Sequence, residues 1–252
     1  MEDSELLKKR LTELSKRSRD SLYFQFTDFL GLAEQSVFAE VKRELKGDAK
    51  YTAFGGASGA ERIMIRFGDE EELGYSEPFP IKCIKIEPVA PKFADRLTHR
   101  DFLGALLNLG IERSRLGDIP IIDNVGYLFC KDDIADFILN NLTRVRRTEV
   151  KLSIIEELPE GEMYKTEKIR VQAVGERVDA LVAKIFSLSR DESLSYFKKR
   201  LVFVDGRLCE NNSYIPKSGE IISVRGLGRF RYIGPIGTTK KGKLNIEVDK
   251  YC

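Results

Sequence analysis

The chain has 252 residues, of which 33% are charged and 42% are hydrophobic. No apolar run approaches the ~20 residues of a membrane-spanning helix, and the charged N-terminus lacks a signal-peptide pattern. These features argue against a membrane protein and predict a cytoplasmic one with two or three small domains.

The cysteines do not form a recognisable site. Cys83, Cys130, Cys209 and Cys252 are far apart in the sequence, and the chain contains a single His. Zinc sites need closely spaced Cys and His residues, and disulfide frameworks are typical of small secreted domains. We therefore predict reduced thiols, no bound metal and no cofactor.

The net charge of +2 conceals an uneven distribution. Residues 165–252 contain 18 Lys and Arg against 10 Asp and Glu, whereas residues 1–164 contain 24 against 30. A basic segment can bind a polyanion because Lys and Arg displace phosphate counterions. Either a nucleic-acid-binding end or a solubilising basic surface fits this composition.

Residues 1–77 are predicted to form an N-terminal subdomain of helices and a hairpin. Leucines recur at helical spacing in 3–17. A second helix is expected to follow Thr27 or Asp28 and to stop near Gly47, because a capping residue precedes it and a glycine ends it. Its apolar side consists of Leu30, Ala33, Val37 and Val41.

Two strands follow in this subdomain, at 50–54 and 61–67, and the glycine-rich segment 55–59 joins them. We interpret this segment as a hairpin loop. A nucleotide-binding loop would lead into a helix and would have the Gly-x-x-x-x-Gly-Lys spacing, which is absent. The acidic segment 68–78 then marks the first domain boundary.

Residues 78–160 alternate between strand and helix patterns. The six segments are 81–87, 98–110, 119–122, 125–130, 132–138 and 150–155. Their β-α-β-β-α-β order predicts the ferredoxin-like split βαβ arrangement, which RRM domains share. The fold class is therefore α+β, and the segment 159–162 is expected to link this domain to a third, at 165–252.

An RRM binds RNA through aromatic side chains on its sheet, in a basic-Gly-aromatic pattern. The strand 125–130 carries Tyr127 and Phe129 on one face but lacks that pattern. These rings can form either a binding platform or part of a core, and the fold does not decide between them. Three arginines near the last strand are a second candidate RNA contact: Arg144, Arg146 and Arg147.

The sequence His99-Arg100-Asp101 shares letters with the kinase catalytic loop. That loop requires an Asn where Leu106 stands, and the other kinase motifs are missing. Thr98 and Asp101 instead fit a helix-capping pair, which leaves His99 and Arg100 exposed at the helix start, where they are candidates to meet a phosphate.

The third domain opens with a predicted strand at 166–173 and continues with two helices. Apolar residues at helical spacing form the buried side of the first helix, and Ser189 and Glu192 fit a capping box that begins the second. The buried residues expected in the first helix are Val178, Leu181, Val182 and Ile185, and those in the second are Leu194, Phe197 and Leu201.

A hairpin follows the two helices. Asp205-Gly206 suits a type I′ turn, in which both central residues take positive φ. A strand at 221–224 is expected to return and to place Arg225, Arg229 and Arg231 at its end. Further along, Lys240, Lys241 and Lys243 form a basic turn that fits either a flexible tail or a phosphate contact.

The order Arg-Val-Asp, Leu-Ser-Arg, a basic helix end, Val-x-Val-Asp-Gly and Gly-Glu-x-Ile-Ser-Val-Arg resembles the S4 RNA-binding module. Leu201 stands where that family usually has Gly, and Asp205 where it usually has Asn. The segment 224–229 is more specifically similar to YlmH-type S4 proteins of Gram-positive bacteria. Other segments of the chain resemble the same family: 54–56, 60–62, 98–104, 109–111 and 134–138.

The resemblance implies a protein without enzymatic activity that docks structured RNA through its C-terminal module. It further implies a ribosomal target, large-subunit rRNA with or without tRNA, and a role in translation or in the clearance of stalled large subunits. We expect phosphate contacts that read shape, with Arg225, Arg229 and Arg231 closing over the surface formed by the helices. The candidate residues are Arg177, Lys184, Ser189, Arg190, Lys198, Lys199, Arg200, Lys217, Arg225, Arg229 and Arg231, with His99, Arg100, Arg144, Arg146, Arg147, Lys240 and Lys241 as possible secondary contacts.

Two other functions stay open. Some S4-bearing pseudouridine synthases use an Asp in a His-Arg-Leu-Asp context, so an RNA-modifying enzyme that uses Asp101 is the main alternative. The catalytic domain of those synthases is much larger than the middle domain of this chain, residues 78–160. A protein-interaction adaptor that uses the acidic N-terminal half is the second alternative.

Overall fold

The computed structural model describes residues 2–44, 50–156, 158, 166–239 and 242–251. The chain divides into two compact units, residues 1–164 and residues 165–252. The division into three domains at 77 and 160 stays a prediction. The expected helix end at Gly47, the linker 159–162, Lys240, Lys241 and Cys252 lie outside the described residues.

The first part of unit 1 contains three helices and a three-stranded antiparallel sheet. The helices are α1 (Glu2–Ser21), α2 (Leu32–Glu44) and α3 (Glu70–Leu73), and the strands are β1 (Gln25–Phe26), β2 (Tyr51–Phe54) and β3 (Met64–Phe67). The sheet order is β1-β3-β2. Leu11, Val41 and Ile65, none of which is exposed, join the helices to the sheet.

One local prediction for this part was wrong, and two short elements were not predicted. Leu30 precedes α2 and forms an isolated bridge with Ile63, so it belongs to the sheet rather than to the helix. The strand β1 was missed because it has only two residues. The acidic segment contains α3, which forms because Asp69 accepts hydrogen bonds from the amides of Glu71 and Glu72.

The second part of unit 1 has the predicted strand and helix order. It consists of β4 (Ile81–Pro88), α4 (His99–Asn108), β5 (Ile121–Ile122), β6 (Val125–Lys131), α5 (Ala135–Asn141), β7 (Arg144–Val145) and β8 (Thr148–Ile155). All strand pairs are antiparallel, in the order β5-β6-β4-β8-β7. This order is that of the ferredoxin-like fold with β7 added at one edge, so the predicted α+β class is confirmed.

The two faces of this sheet are both covered. On one face Ile84, Ile86 and Leu128 pack against α4 and α5, with Phe102 and Ile138 at the centre. Phe137, the residue before Ile138 on α5, does not join that core and is 46% exposed. One turn of α5 therefore contributes Ile138 to the core and presents Phe137 to solvent.

The other face carries Cys83, Tyr127 and Phe129, and residues of the N-terminal part close it. Phe29 and Met64 pack on these side chains in one buried cluster. Phe129 is 1% exposed, and a Cβ at Gly56 would lie 2.2 Å from its ring. Of the two interpretations of Phe129 and Tyr127, the structure therefore favours the core.

Unit 2 is a six-stranded antiparallel sheet with two helices on one face. Its elements are β9 (Thr166–Ala173), α6 (Val178–Ile185), α7 (Arg190–Lys198), β10 (Val202–Val204), β11 (Arg207–Leu208), β12 (Ile221–Val224), β13 (Gly228–Thr238) and β14 (Leu244–Tyr251). The strand order is β11-β10-β12-β13-β14-β9. The sequence pattern did not predict β13 and β14. In β13, Gly234, Pro235 and Gly237 interrupt the alternation, and the pairing register shifts at these residues.

The predicted buried side of α6 is confirmed, since Val178, Leu181 and Val182 are fully buried. In α7, Phe197 is buried as expected, whereas Leu194 is partly exposed. Ser193 takes the buried position instead, because its Oγ donates a hydrogen bond of 2.7 Å to the Asp179 carbonyl in α6. A polar contact therefore joins the two helices at this point.

Candidate nucleic-acid interface

The start of α6 fixes the position of Arg177, its N-terminal capping residue. The Arg177 guanidinium donates two hydrogen bonds to Asp179, Nε to Oδ1 at 3.1 Å and Nη2 to Oδ2 at 2.8 Å. The Asp179 side chain is only 4% exposed, whereas 43% of the Arg177 side chain faces solvent. This bidentate pair orients a cation that remains accessible.

The start of α7 places Arg190. The predicted capping box is confirmed: Ser189 Oγ accepts from the Glu192 amide at 3.2 Å, and the Ser189 amide donates to Glu192 Oε2 at 2.7 Å. The hydrogen bond from the Ser189 amide to the Glu192 carboxylate is the main cause that lowers the pKa of Glu192. Ser189 therefore positions the first turn, and Arg190 projects from it with an exposed side chain.

Four cations line one groove in unit 2. The groove has a volume of about 760 Å³, and Arg177, Lys184, Arg190 and Lys243 contribute to its walls. Its other lining residues include Asp179 and the small residues Gly175, Ala180 and Ala183. We call this surface the α6–α7 groove. It can accept a chain of phosphates, because a small-residue floor lets a backbone approach the cations closely.

Lys243 lines the groove, although it is not among the candidate RNA-binding residues predicted from the sequence. Its place in the basic segment 240–243 was visible in the sequence, but its proximity to Arg177 depends on the pairing of β14 with β9. Because β14 was not predicted, no signal connected the two residues.

Arg229 and Arg231 were expected to close over the surface formed by the helices, and that arrangement is wrong. Both lie on β13, where Phe230 and Tyr232 point into the core shared with α6 and α7. Since successive residues of a strand point to opposite faces, the two arginines lie on the face away from the helices. We call this the open sheet face.

On the open sheet face the arginines contact aromatic rings. The Arg229 guanidinium lies 4.4 Å from the centre of the Tyr251 ring, and Arg231 donates a hydrogen bond of 2.9 Å to the Tyr251 hydroxyl. In the turn after β12, Arg225 lies 4.7 Å from the centre of the Phe203 ring. These contacts hold the cations by cation–π attraction.

The remaining candidates in unit 2 are at exposed positions in turns and helix ends. Lys198 and Lys199 are exposed at the end of α7, and Lys217 is exposed in the turn before β12. Arg200 pairs with Glu210 at 3.4 Å and has a φ of 59°. It is therefore Arg200, one residue before Leu201, that takes the left-handed conformation for which glycine is favoured.

The secondary candidates in unit 1 gather around the start of α4. The Asp101 carboxylate accepts hydrogen bonds from the Thr98 hydroxyl and amide, and these bonds lower its pKa. Arg146 Nε lies 3.7 Å from the same carboxylate, and Arg144 pairs with Glu149 at 3.0 Å. His99, Arg100 and Arg147 are exposed nearby.

Two arginines that the sequence did not single out form a structural cluster in unit 1. Arg62 donates from Nε to the Leu116 carbonyl and from Nη2 to the Phe29 carbonyl, at 2.9 Å each. Arg113 donates to the Leu116 carbonyl at 2.7 Å. Burial lowers the pKa of Arg62 and that of Arg113, the latter to about 10. Arg62 therefore joins the two parts of the unit, whereas the side-chain bond of Arg113 stays within the second part.

The described residues contain no group of three or more His, Cys, Asp and Glu side chains arranged to hold a metal. Cys83, Cys130 and Cys209 are free thiols, and burial raises the pKa of both Cys83 and Cys130 to about 12. Within the described ranges, no helix is long and apolar enough to cross a membrane.

Three comparisons with known proteins bear on the family of this chain. Residues 75–158 match a family model described as "Putative RNA-binding domain in YlmH". A second match is a solved structure described as cell division protein YlmH from Streptococcus pneumoniae. The match covers 61% of this chain and 91% of the solved chain, with 21% identity and a TM-score of 0.48. Ribosome-associated protein quality control protein P2 of Bacillus subtilis (strain 168) is 30% identical over 227 residues, which are 90% of this chain and 87% of the relative. The chain therefore belongs to the YlmH family.

Proposed function

We propose that this chain is a non-enzymatic RNA-binding protein that docks structured RNA through an S4-like module in residues 165–252. The target is ribosomal, large-subunit rRNA with or without tRNA, and the role lies in translation or in the quality control of stalled ribosomes. The observation that carries the proposal is the convergence of Arg177, Lys184, Arg190 and Lys243 on the α6–α7 groove.

The arrangement of the groove supports recognition of the RNA backbone. Lys184, Arg190 and Lys243 are exposed, and Arg177 is held in a fixed orientation by Asp179. Preoriented cations contact phosphates without reading base identity, so we expect weak sequence preference. The matched RNA-binding-domain model and the name of the Bacillus subtilis relative support RNA and the ribosome as partners.

The geometry also bears on the RNA-modifying alternative. A catalytic Asp101 would need its carboxylate available to the substrate. In this chain Thr98 and Arg146 already engage it, as a helix cap and as an ion pair. We therefore assign Asp101 a structural role. Nucleoside analysis by mass spectrometry, after incubation with rRNA and tRNA, should detect no modification that depends on Asp101.

The groove is tested by removing charge without touching the Arg177–Asp179 pair. We expect the triple variant Lys184→Ala, Arg190→Ala, Lys243→Ala to weaken binding of a labelled stem-loop RNA by roughly one to two orders of magnitude. The slope of log K against log salt should also become shallower by about two to three. Fluorescence anisotropy at several salt concentrations measures both quantities.

A matched control removes the same charge elsewhere. Lys9, Lys16 and Lys82 are exposed residues of unit 1, and their triple alanine variant should retain the wild-type slope. Equal effects of the two triple variants would reject the groove and leave only a general charge effect. Sucrose-gradient sedimentation of a lysate tests the ribosomal target: the wild type should travel with large subunits, and the groove variant should stay near the top.

A further inference from the structure

Phe93 is the most exposed large hydrophobic side chain among the described residues, at 90%. It ends a 3₁₀ turn, Pro91–Phe93, between β4 and α4. A lone exposed ring gains nothing from burial within this chain. The ring is therefore available to a partner, and the residues near it decide which kind of partner it suits.

The segment that carries Phe93 is fixed by hydrogen bonds. The Phe93 amide donates to the Ala90 carbonyl at 3.1 Å, and the Asp95 amide donates to Thr148 Oγ1 at 3.0 Å. On the other side, Asn124 donates to the Asp95 carbonyl at 2.9 Å and accepts from the Leu97 amide at 2.7 Å. The ring is thus presented by a preorganised turn.

Several cations belong to the turn that carries the ring and to the neighbouring elements. Lys92 and Arg96 flank Phe93 in the sequence. The Asp101–Arg146 pair brings the start of α4 next to the turn between β7 and β8. Arg100 lies at that helix start, and Arg147 lies in that turn. Lys92, Arg96, Arg100 and Arg147 are exposed and form no ion pair within the described part of the chain. We call these four cations and Phe93 the Phe93 surface.

The nearby carboxylates do not neutralise these cations. Asp101 is hydrogen-bonded to Thr98 and lies close to Arg146, and Glu149 is paired with Arg144. Asp95 is the remaining carboxylate on the segment. The Phe93 surface therefore carries an excess of positive charge around one aromatic ring.

The usual aromatic platform of a ferredoxin-like RNA-binding sheet is closed in this protein. Phe29 and Met64 cover Tyr127 and Phe129, which are at most 8% exposed. Phe93 and Phe137 are the exposed phenylalanines of this domain in the described part of the chain, and Phe93 is the more exposed of the two, at 90% against 46%. A ring among cations suits a nucleotide, whose base stacks while its phosphates pair, better than it suits an apolar protein patch.

We infer that the Phe93 surface binds an unpaired nucleotide of RNA, with the base stacked on Phe93 and the flanking phosphates bound by Lys92, Arg96, Arg100 and Arg147. The inference rests on the proposed function, in that the chain binds RNA. It adds a second contact, outside the α6–α7 groove, that distinguishes single-stranded from paired RNA.

The test compares two labelled probes of equal length, a stem-loop with a single-stranded tail and a fully paired duplex. We expect Phe93→Ala to weaken binding to the tailed probe by about tenfold, as loss of one base–aromatic stack does, and to leave duplex binding unchanged. The salt dependence should not change because no charge is removed. Phe93→Tyr should bind both probes like the wild type, and Leu6→Ala, which removes an exposed apolar side chain from α1, should also have no effect.

The outcomes separate this inference from the proposed function. If the groove triple variant loses affinity while Phe93→Ala binds the tailed probe like the wild type, only the Phe93 inference is overturned. If the wild type binds neither probe, both fall. If Phe93→Ala keeps full RNA affinity but leaves the large-subunit fraction of a sucrose gradient, the ring contacts a protein, which also overturns the inference.

Discussion

Arg177 and Asp179 form a bidentate pair at the first turn of α6, with hydrogen bonds of 3.1 and 2.8 Å. Asp179 also accepts from the Ala180 amide at 2.8 Å, so one nearly buried carboxylate both binds an amide of the first helical turn and orients a cation of the groove. If the groove binds RNA as proposed, folding and RNA binding depend on the same residue pair.

The pair should be visible as a coupling energy. Arg177→Ala leaves the Asp179 carboxylate without its main partner, and we expect the free energy of unfolding to fall by about 1–2 kcal/mol, a value reduced because Arg177 is partly exposed. In an Asp179→Ala background the same substitution should cost much less. A double-mutant cycle by urea denaturation measures the difference, and zero coupling would contradict the role of the pair.

The electrostatics of the groove can be tested without altering any of its cations. Ala183 lies on its wall, so Ala183→Glu places a carboxylate where a phosphate should pass. We expect about tenfold weaker RNA binding because of like-charge repulsion. Ala183→Gln, with nearly the same size and no charge, is the control. Equal losses of affinity in the two variants would mean that shape, not charge, determines the effect.

A third prediction concerns the packing of the glycine-rich loop on the sheet. Gly56 has a φ of 96°, and a Cβ there would lie 2.2 Å from the Phe129 ring. Gly56→Ala should therefore cost about 2–4 kcal/mol of stability, from backbone strain and overpacking.

Gly104 provides the matched control for this substitution. It lies in α4, and an added Cβ meets nothing within 4 Å. Gly104→Ala should stabilise the protein by about 0.5–1 kcal/mol, since alanine favours a helix. Thermal unfolding of both variants measures the contrast, and a neutral Gly56→Ala would argue against the closed sheet face.

A fourth prediction follows from the lowered pKa of Asp101. The hydrogen bonds from Thr98 are the largest cause, and the positive charge of Arg146 lowers the pKa further. A carboxylate whose folded pKa lies below its unfolded value stabilises the protein above the unfolded pKa of about 4, and this contribution is lost as the pH falls through the folded pKa. Asp101→Asn should therefore lower the Tm at pH 7, and the difference from the wild type should shrink below pH ~4.

The control for this pH dependence is Asp191→Asn. Asp191 lies in the first turn of α7, where the capping box uses Ser189 and Glu192 instead. We expect little change in its Tm difference between neutral and acidic pH. A Tm difference for Asp101→Asn that is independent of pH would show that the amide, not the loss of charge, causes the destabilisation.

The sequence predicted best where local chemistry decides the structure. The capping boxes at Thr98 and Ser189, the turn at Asp205-Gly206 and the apolar side of α6 all depend on residues a few positions apart. The ferredoxin-like order was also readable, because each strand alternates cleanly and each helix has a clear start.

Features that depend on distant residues were not predictable. The strands β13 and β14 were not predicted because Gly234, Pro235 and Gly237 obscure the alternation. Without these two strands, neither the open sheet face nor the position of Lys243 in the groove could be predicted. The closing of the sheet over Phe129 depends on Phe29, about a hundred positions away, and no periodicity reports such a contact. Phe93 showed no pattern at all, since exposure of a loop residue is a property of the folded chain.

Because Phe29 and Met64 cover the sheet that holds Tyr127 and Phe129, the domain that matches the RNA-binding model cannot be cut out cleanly. A fragment starting near residue 78 would carry a bare aromatic surface into water and would tend to aggregate. A deletion experiment would then record a loss of activity that comes from the exposed core, and would assign it to RNA contact by residues 1–77. Point substitutions within the intact chain avoid that misattribution.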